Sequence, residues 1–236
     1  MSFHDKIDYD SFGVHDLDPA IVGEQLRAVI LRCIEVQKES AREALAAFRP
    51  HPTSTHEVSE ERLNEILAQG DDIHGIASDR SISNVITFSA KNIRDAIRDP
   101  VVEQSRREVD REMGKLMKAL FRNNGTLSVT SSGHLWYPPG SYMGWHTNSR
   151  VPGWRIYVNY AEQPGRSFFR YREPDTGRIV TLNDKPWNIR IFRITRDRPL
   201  WHAVYSETNR FSMGYMVIRE TYFSRMLKNL RRLVRG

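Results

Sequence analysis

The hydrophobic period of this chain changes at Thr126. Ahead of that point apolar residues recur at helical spacing. Beyond it, as far as Ile218, they alternate, and β-branched and aromatic residues crowd between turn signals. A chain broken in this way folds as a helical part beside a sheet part. The expected fold class is therefore α+β. Residues 1–125 form a mostly helical region, residues 126–219 a jelly-roll core, and residues 220–236 a basic amphipathic helix.

The helical part has readable starts and stops. Met1 to Asp18 is polar and mixed, an irregular lead-in. Asp18-Pro19 starts a helix, because Asp caps the first N–H groups and Pro suits the first helical position. That helix is expected to run towards Phe48, where Arg49-Pro50 stops it. Ser59-Glu60-Glu61 opens a second, ended at Gly70. A short helix is expected over Ser89 to Ile97. A longer one follows, with Val102, Val109, Met113, Leu116, Met117 and Leu120 as an apolar stripe for packing on the sheet and Asn123-Asn124-Gly125 as its stop.

In the sheet part the alternation predicts strands over Leu127 to Tyr137, Arg155 to Tyr160, Ser167 to Arg172, Arg178 to Leu182, Asn188 to Ile194, Pro199 to Val204 and Arg210 to Ile218. Asp175-Thr176-Gly177 is a hairpin turn. Short strands at near-regular spacing point to a sandwich or jelly roll. Trp145, Trp154, Trp187 and Trp201 are expected in the sandwich core.

At 236 residues the chain fits one domain with appendages. Its one cysteine, Cys33, excludes an internal disulfide and a cysteine-rich zinc site, so any metal is held by His, carboxylate or amide groups. No apolar run is long enough for a membrane span, and Met1 to Lys6 has no signal-peptide pattern. The expected compartment is reducing and cytoplasmic. The net charge of +6 is concentrated: from Arg219 onward there are six cations and one anion. The basic balance thus describes a tail rather than a nucleic-acid-binding body. Nucleic acid, anionic lipid or an acidic partner is expected only through that C-terminal helix.

The chemistry sits between Tyr137 and Arg210. His146-Thr147-Asn148 and His202 lie 56 residues apart, and Arg210-Phe211-Ser212 follows. Neutral imidazole binds borderline divalent metals, and two histidines leave coordination positions open for other groups. Arg210 has a planar fork suited to a carboxylate, and Ser212, two residues on, shares its strand face.

Taken together, Trp136-Tyr137-Pro138-Pro139-Gly140, Gly144-Trp145-His146-Thr147-Asn148, Arg155 to Tyr160, Gly165 to Phe169, His202 and Arg210-Phe211-Ser212 resemble the iron(II)/2-oxoglutarate-dependent oxygenases. The likeness is to their prolyl-hydroxylase-like branch and covers about the C-terminal 40% of the chain. It implies a double-stranded β-helix, Fe(II) as cofactor, 2-oxoglutarate as cosubstrate, and molecular oxygen. It also implies that His146 and His202 ligate the metal, and that Arg210, Ser212 and Tyr137 hold the 2-oxoglutarate. The departure is Asn148, where the hydroxylases carry an anionic ligand and the related halogenases a small Gly or Ala. Asn148 joins His146 and His202 in the expected metal and catalytic set. Three roles are open to it: a weak carbonyl ligand, a partner of a metal-bound water, or a side chain turned away. Glu162, Glu173 and Asp175 are the nearby carboxylates.

The expected function is an oxygenase that hydroxylates a small molecule or peptide, with release of succinate and carbon dioxide. The alternatives are a halogenase-like variant, a cupin-like metal protein without 2-oxoglutarate, and a non-catalytic jelly-roll binding protein with a degenerate metal site.

Overall fold

The computed structural model describes residues 6–69, 82–88, 97–122, 127–149 and 151–219. Along these the chain forms β1 (Val14–Leu17), α1 (Glu24–Ser40), α2 (Arg42–Ala47), α3 (Glu60–Gln69), β2 (Ile86–Phe88) and α4 (Pro100–Leu120). It continues with β3 (Leu127–Tyr137), β4 (Ser141–His146), β5 (Gly153–Ala161), β6 (Ser167–Arg172) and β7 (Ile179–Asn183). It then runs through β8 (Trp187–Ile194), β9 (His202–Ser206) and β10 (Arg210–Arg219).

The strands make a six-stranded sheet in the order β1-β8-β5-β10-β3-β2 and a four-stranded sheet in the order β4-β9-β6-β7. All pairings between them are antiparallel. From β3 onward the chain crosses from one sheet to the other and back, which is the winding of a jelly roll. Tyr137, Phe192 and Ile194 from the larger sheet meet Phe169 and Val204 from the smaller one in a shared apolar core. The outer face of the larger sheet is closed by α1 and α4, which bury Val29, Ile30, Val102, Val109 and Met113 against Trp136, Trp154, Ile156 and Met213. The apolar stripe of α4 packs as its spacing predicts. Val58, Leu63 and Ile66 of the α3 region cover the outer face of the smaller sheet.

The tryptophans depart from expectation. Trp154 lies under the helices, with Trp187 partly buried beside the same cluster, and Trp145 and Trp201 lie outside the smaller sheet. None is in the core between the sheets. Trp145 is held there by its Nε1, which donates to the Ser59 carbonyl at 2.6 Å.

The N-terminal signals act locally. Asp18 Oδ1 accepts from the Ala20 N–H at 2.9 Å, yet this starts only a turn over Pro19–Ile21. The long helix begins after Gly23 and breaks at Ala41, a fully buried residue at φ −102° and ψ 12°. One expected helix is thus a turn and two helices. Asp99 caps α4, accepting from the Val101 N–H at 2.8 Å, with Pro100 in the first turn. β1 and β2 are strands without a sequence signal, too short to show an alternation. Gly177 takes a left-handed φ of 73° in the turn between β6 and β7, as expected of a hairpin glycine. His202 opens its strand rather than standing near the end of one beginning at Pro199. The expected helix from Glu220, the Asn123-Asn124-Gly125 stop and nearly all of the Ser89 to Ile97 helix lie outside the described residues. Among the described residues, no helix is long and apolar enough to cross a membrane.

Candidate metal and carboxylate site

The two histidines are direct cross-strand partners. His146 closes β4, His202 opens β9, and their Cα atoms are paired across the smaller sheet. The ring centroids are 4.1 Å apart and the rings are inclined by 50°. His146 Nδ1 lies 2.8 Å from the Gly144 carbonyl oxygen, and His202 Nδ1 lies 2.9 Å from that of Leu200. A carbonyl can only accept, so each Nδ1 carries a proton and donates it to that carbonyl. This is the orientation that a second-shell carbonyl imposes on a metal-binding imidazole. Burial pushes His202 well below its ordinary pKa, and the neighbouring His146 pushes it further. His202 is therefore neutral, which is the ligating form.

Across the barrel, β10 brings Arg210 opposite Tyr137 and Ser212 opposite Asn159. The Arg210 guanidinium stacks over the Tyr137 ring at 4.9 Å. Its Nε donates to Asp184 Oδ2 at 2.8 Å. Its Nη1 is buried and has no hydrogen-bond partner. Asp184 is shared: Arg190 Nη1 donates to its other oxygen, and Ser167 Oγ donates to Oδ2, each at 2.5 Å. Burial opposes ionisation of Asp184, but the charges of Arg210 and Arg190 and the Ser167 bond outweigh it and hold the carboxyl below its usual range. Arg190 also meets Asp16 at 3.3 Å, so two carboxylates face the two arginines. Beside them Asn159, fully buried, has no partner for either its amide nitrogen or its amide oxygen. Burial raises the Tyr137 phenol, against the opposing charge of Arg210, so the hydroxyl keeps its proton.

His146, His202, Tyr137, Arg210 and Ser212 all line one cavity of about 380 Å³, its solvent-open part included. Asn159 and Arg190 complete the polar end; Leu135, Met143, Tyr157, Phe169 and Val204 form the apolar wall. Asn148 is not among the lining residues. It is half-buried, stands at φ 55° in the turn after β4, and its carbonyl accepts from the Val151 N–H at 3.2 Å. Asparagine tolerates that left-handed conformation better than most residues. The other carboxylates named from the sequence are occupied elsewhere. Glu162 accepts from Asn209 and pairs with Lys38, Glu173 pairs with Arg178, and Asp175 pairs with Arg198. Among the described residues no group of three or more His, Cys, Asp or Glu side chains could hold a metal ion. The two imidazoles could hold a borderline divalent ion, and among the described residues no carboxylate joins them.

Asp184, Arg190 and the role of Asn159 were not found from sequence. Arg190 carries the signal that could have shown it. It shares a strand face with Phe192, so it is a charged residue on the inward side of an apolar strand. Asp184 sits in the turn between β7 and β8, where an Asp needs no further explanation. His134, on the strand before the site, points the other way: its Nδ1 is 3.2 Å from Gln37 Nε2 of α1.

No protein-family model matches this chain, and no curated protein matches it. Among solved structures, a Pseudomonas putida prolyl-4-hydroxylase aligns over 89% of this chain and 94% of its own, with 13% identity and a TM-score of 0.48. A Trichoplax adhaerens prolyl hydroxylase in complex with a hypoxia inducible factor oxygen degradation domain peptide fragment aligns over 89% of this chain and 85% of its own, at 12% identity and a TM-score of 0.48. A Burkholderia pseudomallei oxidoreductase of the 2OG-Fe(II) oxygenase family covers 70% of this chain and 81% of its own, at 12% identity and a TM-score of 0.42.

Proposed function

We propose that this chain is an iron(II)- and 2-oxoglutarate-dependent oxygenase whose expected outcome is hydroxylation of a small molecule or peptide. The observation that carries this reading is one cavity with two complementary ends. At one end stand two imidazoles, each with its Nδ1 fixed by a carbonyl. At the other stand a buried guanidinium nitrogen and a buried amide, both without partners. Buried polar groups are seldom left unpaired, so these atoms fit a ligand that brings oxygen acceptors and a negative charge.

In this reading His146 and His202 hold iron(II). Arg210 Nη1 and the Asn159 amide, with Ser212 beside them, receive the distal carboxylate of 2-oxoglutarate. Asp184 fixes Arg210 through Nε, so its Nη1 edge is the one left for a ligand. Tyr137 lies flat against that guanidinium, and its protonated hydroxyl presents no competing charge. The apolar wall keeps water from the space between the two ends. Bound iron(II) supplies the redox centre at which 2-oxoglutarate and oxygen are consumed together, giving succinate, carbon dioxide and an oxidised substrate.

Asn148 favours a second reading within the same chemistry. It stands outside the cavity lining, and among the described residues no carboxylate joins the two histidines in its place. The anionic ligand can then come from solution. A halide there would make the chain halogenase-like; no turnover at all would make it a binding protein on the same fold.

Anaerobic titration with iron(II) and 2-oxoglutarate tests the main reading. A weak visible charge-transfer band is expected only when both are present. No band, with no mutual enhancement of binding, would remove it. Succinate release with and without chloride or bromide then separates hydroxylation, halogenation and no turnover.

A further inference from the structure

Asp184 belongs to the carboxylate end of the cavity without lining it, whereas Arg190 and Arg210 both line it. Its side chain is fully buried, and three donors hold its two oxygens. Arg190 Nη1 donates to Oδ1, and Ser167 Oγ and Arg210 Nε donate to Oδ2. The backbone around it is fixed as well. The Asp184 N–H donates to the Ser167 carbonyl, and the Asp184 carbonyl accepts from the Gly165 N–H, each at 2.8 Å. Asn188 closes the turn between β7 and β8, accepting from the Lys185 N–H at 2.9 Å and donating to the Lys185 carbonyl at 2.7 Å. The turn is thus a bracket that carries one carboxylate into the barrel and holds it in one place.

That carboxylate decides how Arg210 faces the cavity. The Arg210 guanidinium stacks over the Tyr137 ring at 4.9 Å. Stacking restrains the plane of the group but not its direction within that plane. The bond from Nε to Asp184 sets the direction, and it leaves the buried, unpartnered Nη1 on the side open to a ligand. A guanidinium binds carboxylates through a fork of fixed geometry, so the edge it offers governs what it can hold. Arg190 has a second counter-ion in Asp16, but among the described residues Asp184 is the only carboxylate within ion-pair distance of Arg210. A neutral group at Asp184 would remove a competitor for the Arg210 charge. It would also leave two guanidinium groups facing each other across an uncharged side chain, where they repel. Arg210 would then lose the contact that sets its direction.

We infer that Asp184 is a positioning residue: it aims the Nη1 edge of Arg210 at the distal carboxylate of the cosubstrate, and so sets the preference for a dicarboxylic over a monocarboxylic 2-oxo acid. The inference rests on the oxygenase reading for the identity of the cosubstrate, while the aiming of Arg210 requires only that a carboxylate binds there.

The test compares 2-oxoglutarate with 2-oxovalerate, which has the same chain with a methyl group in place of the distal carboxylate. Binding to the full chain is measured by anaerobic calorimetry, with and without iron(II), in wild type, Asp184→Asn, Arg210→Met and the double variant. In wild type 2-oxoglutarate is expected to bind at least about tenfold more tightly than 2-oxovalerate, because a buried donor left unpaired by the wrong ligand is penalised. Asp184→Asn is expected to cut that preference at least about fivefold, by weakening 2-oxoglutarate and leaving 2-oxovalerate unchanged, since small misplacements of a positioned group are costly. In the Arg210→Met background the same change is expected to alter the preference no further, because it acts through Arg210. A purely structural role would weaken both acids alike and would persist in that background; this result overturns the inference. A preference that is unchanged or larger in Asp184→Asn also overturns it, the larger one making Asp184 only a competing charge. A wild type that binds the two acids alike overturns it too. If Asp184→Asn does not fold, Asn188→Ala, which loosens the bracket and removes no bond to either arginine, carries the same comparison. A fall in preference is expected there, and an unchanged preference refutes the bracket. The iron(II) and 2-oxoglutarate charge-transfer band reports the oxygenase reading separately. Its absence beside an Asp184-dependent preference removes that reading alone, and its presence beside an Asp184-independent preference removes this inference alone.

Discussion

His146 and His202 touch only because two strands distant in sequence are paired at those positions. Removing either imidazole breaks this pair, so His146→Ala and His202→Ala are each expected to abolish stoichiometric iron binding in a folded protein. Metal analysis with circular dichroism checks this, and retained iron in either variant would refute the assignment. Asn148→Asp is expected to tighten iron(II) binding by at least about tenfold. A new charge two residues from a ligand acts on a divalent cation through space as well as by coordination, and at partly buried sites that is worth a few kcal/mol. An aspartate also tolerates the φ of 55°, so the turn survives. Unchanged affinity would show that the side chain faces away from the metal. That His146, His202 and Arg210 would share one cavity was legible because they stood in a recognisable order, whereas Asn148, expected beside them, is not in its lining. Asp184 was not legible: its role comes from three partners, Ser167, Arg190 and Arg210, that meet it only in the fold.

The strands from β3 to β10 were largely legible because one face of each is buried, which forces the alternation. β4 was not among the predicted strands. β1 and β2 were invisible because strands of four and three residues carry too few positions to show a period. The break at Ala41 was hidden for the opposite reason: the residues around it favour helix, and only φ and ψ at one buried alanine divert the chain. Irregularity inside β10 also bears on the site. The pairing of β10 with β3 shifts between Gly214 and Tyr215, as a β-bulge does. A Cβ at Gly214 would come within 2.7 Å of Ser132 Oγ and 2.9 Å of Tyr157 Cε1. Tyr157 is part of the cavity wall and stacks on Phe192 at 5.7 Å. Gly214→Ala is therefore expected to cost about 1–3 kcal/mol in urea unfolding. It is also expected to weaken 2-oxoglutarate binding, because the displaced ring moves along that wall. Wild-type stability and affinity in this variant would mean that Ser132 and Tyr157 yield without strain.

At the scale of the whole molecule, the larger sheet separates two interiors of different chemistry. One side is the cavity. The other, against α1 and α4, is apolar except for a small polar cluster around His134, which is fully buried. The helix stripe predicted that α4 would pack there, but no pattern in the sequence showed that a histidine would face it. Cys33 on α1, Arg106 and Asp110 on α4, and Tyr215 on β10 are the titratable and charged groups around it. Burial, with a further push from Arg106, lowers the His134 pKa from 6.5 to about 3. His134 Nδ1 is beside Gln37 and Nε2 has no partner, so nothing there rewards protonation. Below pH 6.5 the unfolded chain takes up a proton that the folded chain refuses. Stability is then lost as pH falls from about 6.5 towards 3, by about 2 kcal/mol at pH 5 for this group. Burial raises the Asp110 carboxyl, which acts with the opposite sign at the acid end of that range. The informative quantity is consequently the difference between wild type and His134→Asn, measured by urea unfolding at pH 7 and pH 5. The wild type is expected to lose about 2 kcal/mol more than the variant across that interval. Parallel losses would mean that the helices and the sheet open enough to let His134 protonate while the protein stays folded.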